Sequence, residues 1–444
     1  MNVKKNLTIS IFTFLISSFA FAQNEQVEIK AKSERILYFF QTANYDSLSN
    51  LINEVQKPFN SPVAIASNYN PIAEKYGNIK SFRYAGYKPY YDQINIEYVA
   101  KTAYNIDILV QFAFNRFNQK LILYRFLEAF KNYAIPEYAI AEKYEEEPIT
   151  FAADSMYPLT GFLNKPITTQ KVPLVIIIPD AGPTDADGIY VSKPYKDLAT
   201  GLASNGYAVF RYNKRSLNYG FSFSQAKING EPFTSKLDVL DDLQAVIDLL
   251  KTNPAIDSNR IYLLGHGEGA YLAPYVASKN PKLKGIILIN ANANHPLEMM
   301  IDQNNYLVKI LPHKKEHFDE DNQKAKIVLK HKVKENTPYS LLPHDLPASY
   351  WLWINSYNQI KTAKKLTLPI LIMQGARDYQ VDKKNFAVWQ KKLKKNTNVS
   401  FKMYDKMNHI MHEGVGESTF SEYSILQHIP IEVINDLLNW LNKN

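Results

Sequence analysis

The sequence predicts an α/β protein with a mostly parallel sheet, preceded by a smaller α+β domain with a curled antiparallel sheet. From about residue 151 onward, short apolar runs alternate with helical patterns, and several runs are apolar throughout. Such runs are typical of parallel strands that helices cover on both faces. Between about residues 80 and 127 hydrophobicity instead alternates with a period of two, which predicts antiparallel strands.

The first 22 residues have the pattern of a signal peptide. Lys4 and Lys5 give a positive start, residues 7–19 are apolar, and residues 20–22 (Ala-Phe-Ala) match a small-x-small cleavage site. We therefore expect cleavage before Gln23, with an uncleaved anchor as the alternative, and an exported protein that is periplasmic or secreted. No other segment approaches the ~18–20 unbroken apolar residues of a membrane helix, so we expect no membrane span after signal cleavage.

The composition is that of an ordinary globular protein, with 46% hydrophobic and 21% charged residues. Loss of the signal peptide lowers the formal net charge from +8 to +6, because two lysines are removed. The densest lysine cluster, within residues 391–395, alternates with apolar positions, which indicates a solvated helix face and no nucleic-acid partner. There is no cysteine, which excludes disulfides, thiol catalysis and cysteine-based metal sites.

The small domain is predicted to span residues 23–127. Apolar residues at helical spacing over 33–57, a pattern that Pro58 ends, predict one or two helices, and Tyr-x-Tyr and Ile-x-Ile alternations predict the strands that follow. Residues 128–150, which contain a proline and three consecutive glutamates, are interpreted as a linker.

The large domain is predicted to span residues 151–444. Its predicted strands are 175–178, 208–210, 261–264, 286–289, 369–373 and 399–403, with helices over 195–204 and 238–250. The stretch 296–366 interrupts this alternation and is rich in Lys, His and aromatic residues. It is interpreted as a helical lid.

One junction between a strand and a helix has the frame of a nucleophile elbow. Residues 265–269 read Gly-His-Gly-Glu-Gly, which matches Gly-x-Ser-x-Gly except that Gly267 stands at the serine position. Downstream, Asp378 follows one predicted strand and His409 follows the last. Elbow, acid and histidine in that order are the chain order of a Ser-Asp-His triad on such a sheet. Asp378 and His409 are therefore predicted to form a retained catalytic dyad.

From about residue 125 to the end, the chain resembles the bacterial exported α/β-hydrolases that carry a small N-terminal domain. The motifs are Pro-x-Ala-Gly-Pro-Thr-Asp-x-Asp-Gly over 179–188, Phe-Arg-Tyr-Asn-Lys-Arg over 210–215, Leu-Ala-Pro over 272–274, Tyr-Trp-Leu over 350–352, Gly-x-Arg-Asp-Tyr-Gln-Val over 375–381 and Asn-His over 408–409. The N-terminal part resembles the cone-shaped sheet domains typified by nuclear transport factor 2.

This resemblance implies an α/β-hydrolase fold with a helical lid and the activity of an esterase on carboxylic esters. It implies that Asp378 is the triad acid, that His409 is the base, and that the backbone N–H groups of Glu268 and Ala181 form the oxyanion hole. No cofactor or metal is expected.

The chain departs from the family pattern twice. Gly267 replaces the serine nucleophile, and glycine lacks the oxygen or sulfur that acyl-enzyme chemistry needs. Relatives have His-Gly-Ser-Gly-Pro where this chain has Pro-Asp-Ala-Gly-Pro over 179–183. Asp180 therefore brings a carboxylate close to the site where an oxyanion would develop, which is unfavourable for stabilising that charge.

Neighbouring side chains are not expected to replace the serine. The side chain of Glu268 is predicted to point into the helix start and away from the pocket, and His266 to be packed beside the site. His409 and His412 are three residues apart without the glutamate-containing helix of a metalloprotease, so no metal site is predicted there. His295, at the start of the lid, is expected to be structural or to contact the lid.

Three functions remain open from the sequence. The first is a pseudoenzyme that serves as a binding or sensor module for a small acyl or ester ligand. The second is a weak ester hydrolase in which Asp378 and His409 activate water directly. The third is a structural or partner-docking role of the N-terminal domain.

Overall fold

The computed structural model describes residues 25–52, 60–89, 93–127, 133–155, 157–188, 191–219 and 232–444. The chain divides into two units, Met1–Asn132 and Tyr133–Asn444. The predicted signal peptide lies outside the described residues. Within the described residues, no helix has the length and apolar character needed to cross a bilayer.

The first unit combines helices with a four-stranded antiparallel sheet in the order β1-β2-β3-β4. The strands are β1 Ile79–Pro89, β2 Gln93–Thr102, β3 Asp107–Asn115 and β4 Leu121–Leu127. The helices are α1 25–41, α2 Tyr45–Ser49 and α3 Pro62–Tyr76. Of the one or two helices predicted from the pattern over 33–57, the structure has two, α1 and α2. The break between them has a local cause, because Ala43 has a positive φ of 53° and the Asn44 side chain caps α2.

The second unit is built on an eight-stranded mixed sheet in the order β12-β11-β10-β9-β7-β8-β6-β5. The strands are β5 Tyr144–Phe151, β6 Leu159–Pro166, β7 Val172–Ile178, β8 Ala208–Tyr212, β9 Ile256–His266, β10 Gly285–Ile289, β11 Ile370–Gly375 and β12 Val399–Tyr404. The six strands from β7 to β12 run parallel, and β5 and β6 add an antiparallel edge. Each of the six strands predicted from apolar runs is present.

Helices cover both faces of this sheet. They are α4 Pro194–Ala203, α5 Arg215–Tyr219, α6 Asp241–Leu250, α7 Glu268–Lys279, α8 Pro296–Ile310, α9 Lys315–Leu329, α10 Ala348–Ser356, α11 Gln359–Ala363, α12 Lys383–Leu393 and α13 Ile431–Lys443. Alternate residues of β7 enter different cores: Ile176 packs in one and Ile177 in the other. Both faces are therefore buried, as the wholly apolar strand predicted. The insertion predicted over 296–366 carries α8, α9, α10 and α11.

The segment interpreted as a linker, 128–150, includes most of β5. Its three glutamates lie on the edge strand and are matched by basic side chains. Glu146 contacts Arg211, and Lys165 contacts Glu145 at 3.2 Å and Glu147 at 3.1 Å. An acidic run is ambiguous in sequence because its cationic partners lie on other elements.

Candidate active site

The glycine-rich elbow has the geometry that its sequence predicts. Strand β9 ends at His266, Gly267 has φ 53° and ψ −112°, and α7 begins at Glu268. A Cβ on Gly265 would lie 2.4 Å from the Gly269 backbone, and one on Gly269 would lie 2.1 Å from the Ile178 carbonyl oxygen. Glycine is therefore required on both sides of the turn, where backbone meets backbone.

Asp378 and His409 lie together at the carboxyl edge of the sheet. The Asp378 Oδ2 atom is 2.8 Å from His409 Nδ1, and both residues are buried. The other carboxylate oxygen accepts hydrogen bonds from the backbone N–H groups of Gln380 and Val381 at 2.8 and 2.9 Å. The carboxylate is thereby fixed and orients the imidazole, as the acid of a triad does.

The second ring nitrogen of His409, Nε2, contacts Asp180, which lies in the loop after β7. Asp180 Oδ2 lies 2.8 Å from His409 Nε2. Asp180 Oδ1 accepts a hydrogen bond of 2.8 Å from the backbone N–H of Glu268. A Cβ built on Gly267 would lie 1.9 Å from that same Oδ1 atom. The Asp180 carboxylate thus fills the space that a side chain at position 267 would occupy.

This position of Asp180 corrects the sequence-based expectation, which placed the carboxylate only near the oxyanion hole. In the structure it binds one predicted oxyanion donor, the N–H of Glu268, and also takes the place of the nucleophile opposite the base. Ala181, the second predicted donor residue, lines the same cavity.

The charges of the site reinforce one another. Burial opposes ionisation of His409, but Asp378 and Asp180 outweigh it and raise the pKa of the imidazole to about 10. Burial likewise opposes ionisation of Asp180, but the charge and hydrogen bond of His409 hold the pKa of that carboxyl well below its usual range. At neutral pH the arrangement is therefore an imidazolium between two carboxylates.

His266 is packed beneath this arrangement, as expected. Its Nδ1 atom lies 2.9 Å from the Tyr195 hydroxyl and its Nε2 atom 2.8 Å from the His409 carbonyl oxygen. Within the described parts of the chain, Asp180, His266 and His409 are the one acidic and histidine group with metal-ligand spacing. Because the ring nitrogens of both histidines already have hydrogen-bond partners, a metal ion would have to displace those contacts. His412 lies outside this group, buried, and burial lowers its pKa to about 4.

The side chain of Glu268 differs from its prediction. It faces the cavity, where Oε1 accepts a hydrogen bond of 2.9 Å from the Tyr350 hydroxyl. Its Oε2 atom accepts one of 2.9 Å from Lys214 Nζ, which also lies 3.6 Å from Asp238 Oδ2. The buried lysine turns the glutamate away from the helix start. Sequence reasoning missed this network, although Lys214 is part of the Phe-Arg-Tyr-Asn-Lys-Arg motif.

A cavity of about 480 Å³ lies above Gly267 and His409. Lid residues such as Leu297, Met300 and Trp351 line one side of it. The volume falls within the range of small-molecule sites, which are mostly apolar with a few placed polar groups.

Comparisons with known proteins agree with this architecture. The family model "Serine aminopeptidase, S33" matches residues 189–415, half of the chain. Esterase EstD from Thermotoga maritima is 31% identical over 312 residues, which cover 70% of this chain and 71% of the esterase.

Among solved structures, Est1E from Butyrivibrio proteoclasticus is 16% identical, with a TM-score of 0.45 over 67% of this chain and 99% of that one. The acylaminoacyl peptidase of Pyrococcus horikoshii is 16% identical, with a TM-score of 0.45 over 75% of this chain but 47% of the peptidase. At this distance neither structure bears on activity. The family match and the curated esterase carry the assignment: this chain belongs to the serine aminopeptidase S33 family and has the α/β-hydrolase fold.

Proposed function

We propose that this protein is a pseudoenzyme of its family, a module that binds a small acyl or ester ligand without hydrolysing it. The observation that carries the proposal is the Asp180 carboxylate, held between His409 Nε2 and the Glu268 N–H. It occupies the place of the attacking atom and one oxyanion donor at once. Both functions that acyl transfer needs are thereby lost together.

The same contact argues against a weak hydrolase that activates water. A general base must be unprotonated and within hydrogen-bond reach of the water that it activates. His409 carries its proton on Nε2 toward Asp180, and the pKa of about 10 keeps that proton in place at neutral pH. A water molecule in the cavity therefore has no free base to activate it.

The retained parts of the site favour binding. The cavity is open, its lid helices contribute apolar side chains, and the backbone at Gly267 forms a sharp turn between strand and helix. A protein that had lost all use for the pocket would have no constraint against filling it. We further propose that the protein is exported, on the basis of its N-terminal sequence pattern alone.

The test is hydrolysis of p-nitrophenyl acetate and butyrate by the wild-type protein and by His409→Ala. We expect equal, background rates for both, together with ester binding detected as a change in tryptophan fluorescence that is lost in Trp351→Phe, because Trp351 lines the cavity. A general base contributes about 10²–10⁴-fold to rate. A wild-type rate in that range above His409→Ala would establish the weak hydrolase instead.

A further inference from the structure

The Asp180 carboxylate lies beside the space of the missing serine hydroxyl, although it belongs to a different loop from the elbow. Its Oδ1 and Oδ2 atoms are 1.9 and 2.9 Å from the position of a Cβ on Gly267. The side chain is 15% exposed and lines the cavity. A carboxylate is itself a nucleophile that forms covalent intermediates in enzymes. The loop after β7 therefore supplies a reactive atom that the elbow lacks.

The backbone of Asp180 is held on both sides of the side chain. Its N–H donates a hydrogen bond of 2.9 Å to the Tyr195 hydroxyl, which in turn contacts His266 Nδ1 at 2.9 Å. Its carbonyl oxygen accepts a hydrogen bond of 3.2 Å from Lys214 Nζ. A nucleophile benefits from such contacts, because its orientation is set before the reaction begins.

The two carboxylate oxygens of Asp180 have different surroundings. Oδ1 accepts a hydrogen bond of 2.8 Å from the backbone N–H of Glu268, and Oδ2 accepts one of 2.8 Å from His409 Nε2. A carboxylate offers about four acceptor positions, and these two contacts use one on each oxygen. Oδ2 therefore retains a lone pair for attack while Oδ1 stays bound to the backbone donor.

This geometry selects the kind of carbon that Asp180 can attack. Attack on an ester carbonyl would create an oxyanion, and the Glu268 N–H that would stabilise it is already bound to Asp180. Attack on a saturated carbon needs no such donor, because no charge develops on a carbonyl oxygen. The cavity of about 480 Å³, with Leu297, Met300 and Trp351 on one side, suits a small alkyl chain.

We propose a second activity for this site, which goes beyond the binding function: hydrolysis of primary alkyl halides through an alkyl ester of Asp180. In the first step Asp180 Oδ2 bonds to the terminal carbon, and the carbon–halogen bond breaks with its electron pair leaving on the halide. His409 then releases its Nε2 proton to solvent.

In the second step water attacks Asp180 Cγ, and His409 Nε2 accepts a proton from that water. The bond between Cγ and Oδ2 breaks, and the departing alkoxide takes the proton from His409 to form the alcohol. The carboxyl proton left on Asp180 returns to His409, which restores the starting ion pair. The sum is alkyl halide and water giving alcohol, halide and one proton.

Formation of the ester also frees the base. Asp378 and Asp180 together raise the pKa of His409 to about 10, and esterification removes the charge of Asp180. Asp378 still orients the ring from Nδ1 at 2.8 Å. The Glu268 N–H, bound to Oδ1, becomes the donor for the oxyanion that forms as water attacks Cγ. The two contacts that block acyl transfer therefore both serve the second step.

The experiment follows bromide release from n-butyl bromide at pH 8, together with the intact mass of the protein. Wild type should release bromide continuously. His409→Gln should release one bromide per protein and gain one butyl group, which peptide mapping places on Asp180. Because a general base contributes about 10²–10⁴-fold, its continued release should be at least about 10²-fold slower than that of wild type. Asp180→Asn should show neither release nor adduct. Asp257→Asn, at a carboxylate outside the cavity, is the matched control and should behave as wild type.

A single turnover in water enriched in heavy oxygen tests the covalent route. The label should enter the carboxylate of Asp180, and the first butanol formed should be unlabelled, because its oxygen comes from Oδ2. Label in that butanol, or equal bromide release by folded Asp180→Asn, overturns the inference. If Asp180→Asn does not fold by circular dichroism, the position of the label in wild type decides alone.

The outcomes also separate this activity from the binding function. Absence of bromide release by wild type overturns the alkyl-halide activity and leaves the binding function standing. Hydrolysis of the p-nitrophenyl esters that depends on His409 contradicts the binding function, whatever the result with n-butyl bromide.

Discussion

The Asp180 side chain fills the space that a side chain at position 267 would occupy. The 1.9 Å separation between an added Cβ and Asp180 Oδ1 is far below any tolerated contact. The two departures from the family pattern, Gly267 and Asp180, are therefore sterically compatible with each other. A serine at 267 therefore requires the Asp180 side chain to move out of its position between His409 and the Glu268 N–H, or to be replaced by a smaller one.

This mutual dependence predicts the behaviour of variants toward p-nitrophenyl acetate. Gly267→Ser alone should hydrolyse this ester at a rate near background. The serine displaces the Asp180 carboxylate from His409, but that carboxylate remains in the site. The strained turn, with φ 53° at position 267, should also lower the free energy of unfolding by about 1–3 kcal/mol. Gly267→Ser combined with Asp180→Gly should exceed the single variant by at least about tenfold, since nucleophile, base and oxyanion donor are then all available.

Asp180→Gly alone serves as the control for that experiment. It frees the base and the donor but supplies no nucleophile, so its rate should remain low. A folded double variant with no turnover above wild type would show that the cavity differs from that of an esterase in more than these two residues.

The ion pair at His409 also predicts how stability depends on pH. The pKa of this histidine is raised from 6.5 to about 10, so its contribution is complete below pH 6.5 and is lost as pH rises through about 10. Asp180 stays ionised over this interval and adds no pH dependence. Between pH 6.5 and 9.5 the wild type should lose about 1–3 kcal/mol more unfolding free energy than Asp180→Asn.

Urea unfolding of the two proteins at both pH values gives this difference directly. Because tyrosines and lysines titrate equally in both proteins, their contributions cancel. Parallel losses in wild type and Asp180→Asn would mean that Asp180 does not hold the imidazole in its charged form.

At the scale of elements, the sequence predicted the α/β sheet correctly. Apolar runs located strands β7 to β12, and residues that directly follow parallel strands must meet at one edge. From that rule, Gly267, Asp378 and His409 were predicted to lie at the same edge of the sheet. The contact of Asp180 with His409 was not predictable in this way, because it joins two loops 229 positions apart. Its distance depends on a side-chain rotamer and on the absence of a Cβ at 267.

The lid is the element whose behaviour remains a prediction. Residues 296–366 carry helices α8 to α11, and His295 caps α8 while its Nε2 atom lies 2.9 Å from Asn355 in α10. Since covers over such sites open for ligands, we expect amides of α8 and α9 to exchange hydrogen faster than those of β9 and β10. Exchange in α8 and α9 as slow as in the central strands would contradict a mobile lid.

At the scale of the whole molecule, the two units differ in how far sequence patterns described them. Most of the second unit, Tyr133–Asn444, follows from the alternation of apolar strands with helical patterns, whereas the first was predicted only as one or two helices followed by antiparallel strands. Because β5 is acidic, it was assigned to the linker, and the predicted start of the large domain came after most of this strand. Charged residues on an edge strand give the same sequence pattern as charged residues in a linker.

Export is a prediction about the whole chain. Expressed with its own N-terminus in a bacterial host, the protein should be recovered outside the cytoplasm with Gln23 as its first residue, because residues 20–22 match a cleavage site. Mass spectrometry of the intact protein measures this. Ala22→Arg, which removes the small residue at the cleavage site, should retain the leader. A mature wild-type chain that still begins at Met1 would favour the uncleaved anchor.

The most direct test of the account is the protonation state of His409, measured by nitrogen NMR of the histidine-labelled protein and assigned through the signal lost in His409→Gln. We expect an imidazolium, protonated on both nitrogens at pH 8, that titrates near pH 10. Asp180→Asn should lower that pKa, because one of the two carboxylates is then uncharged. A His409 ring that is neutral at pH 8 and titrates near 6.5 would contradict the claim that Asp180 has replaced the nucleophile and disabled the base.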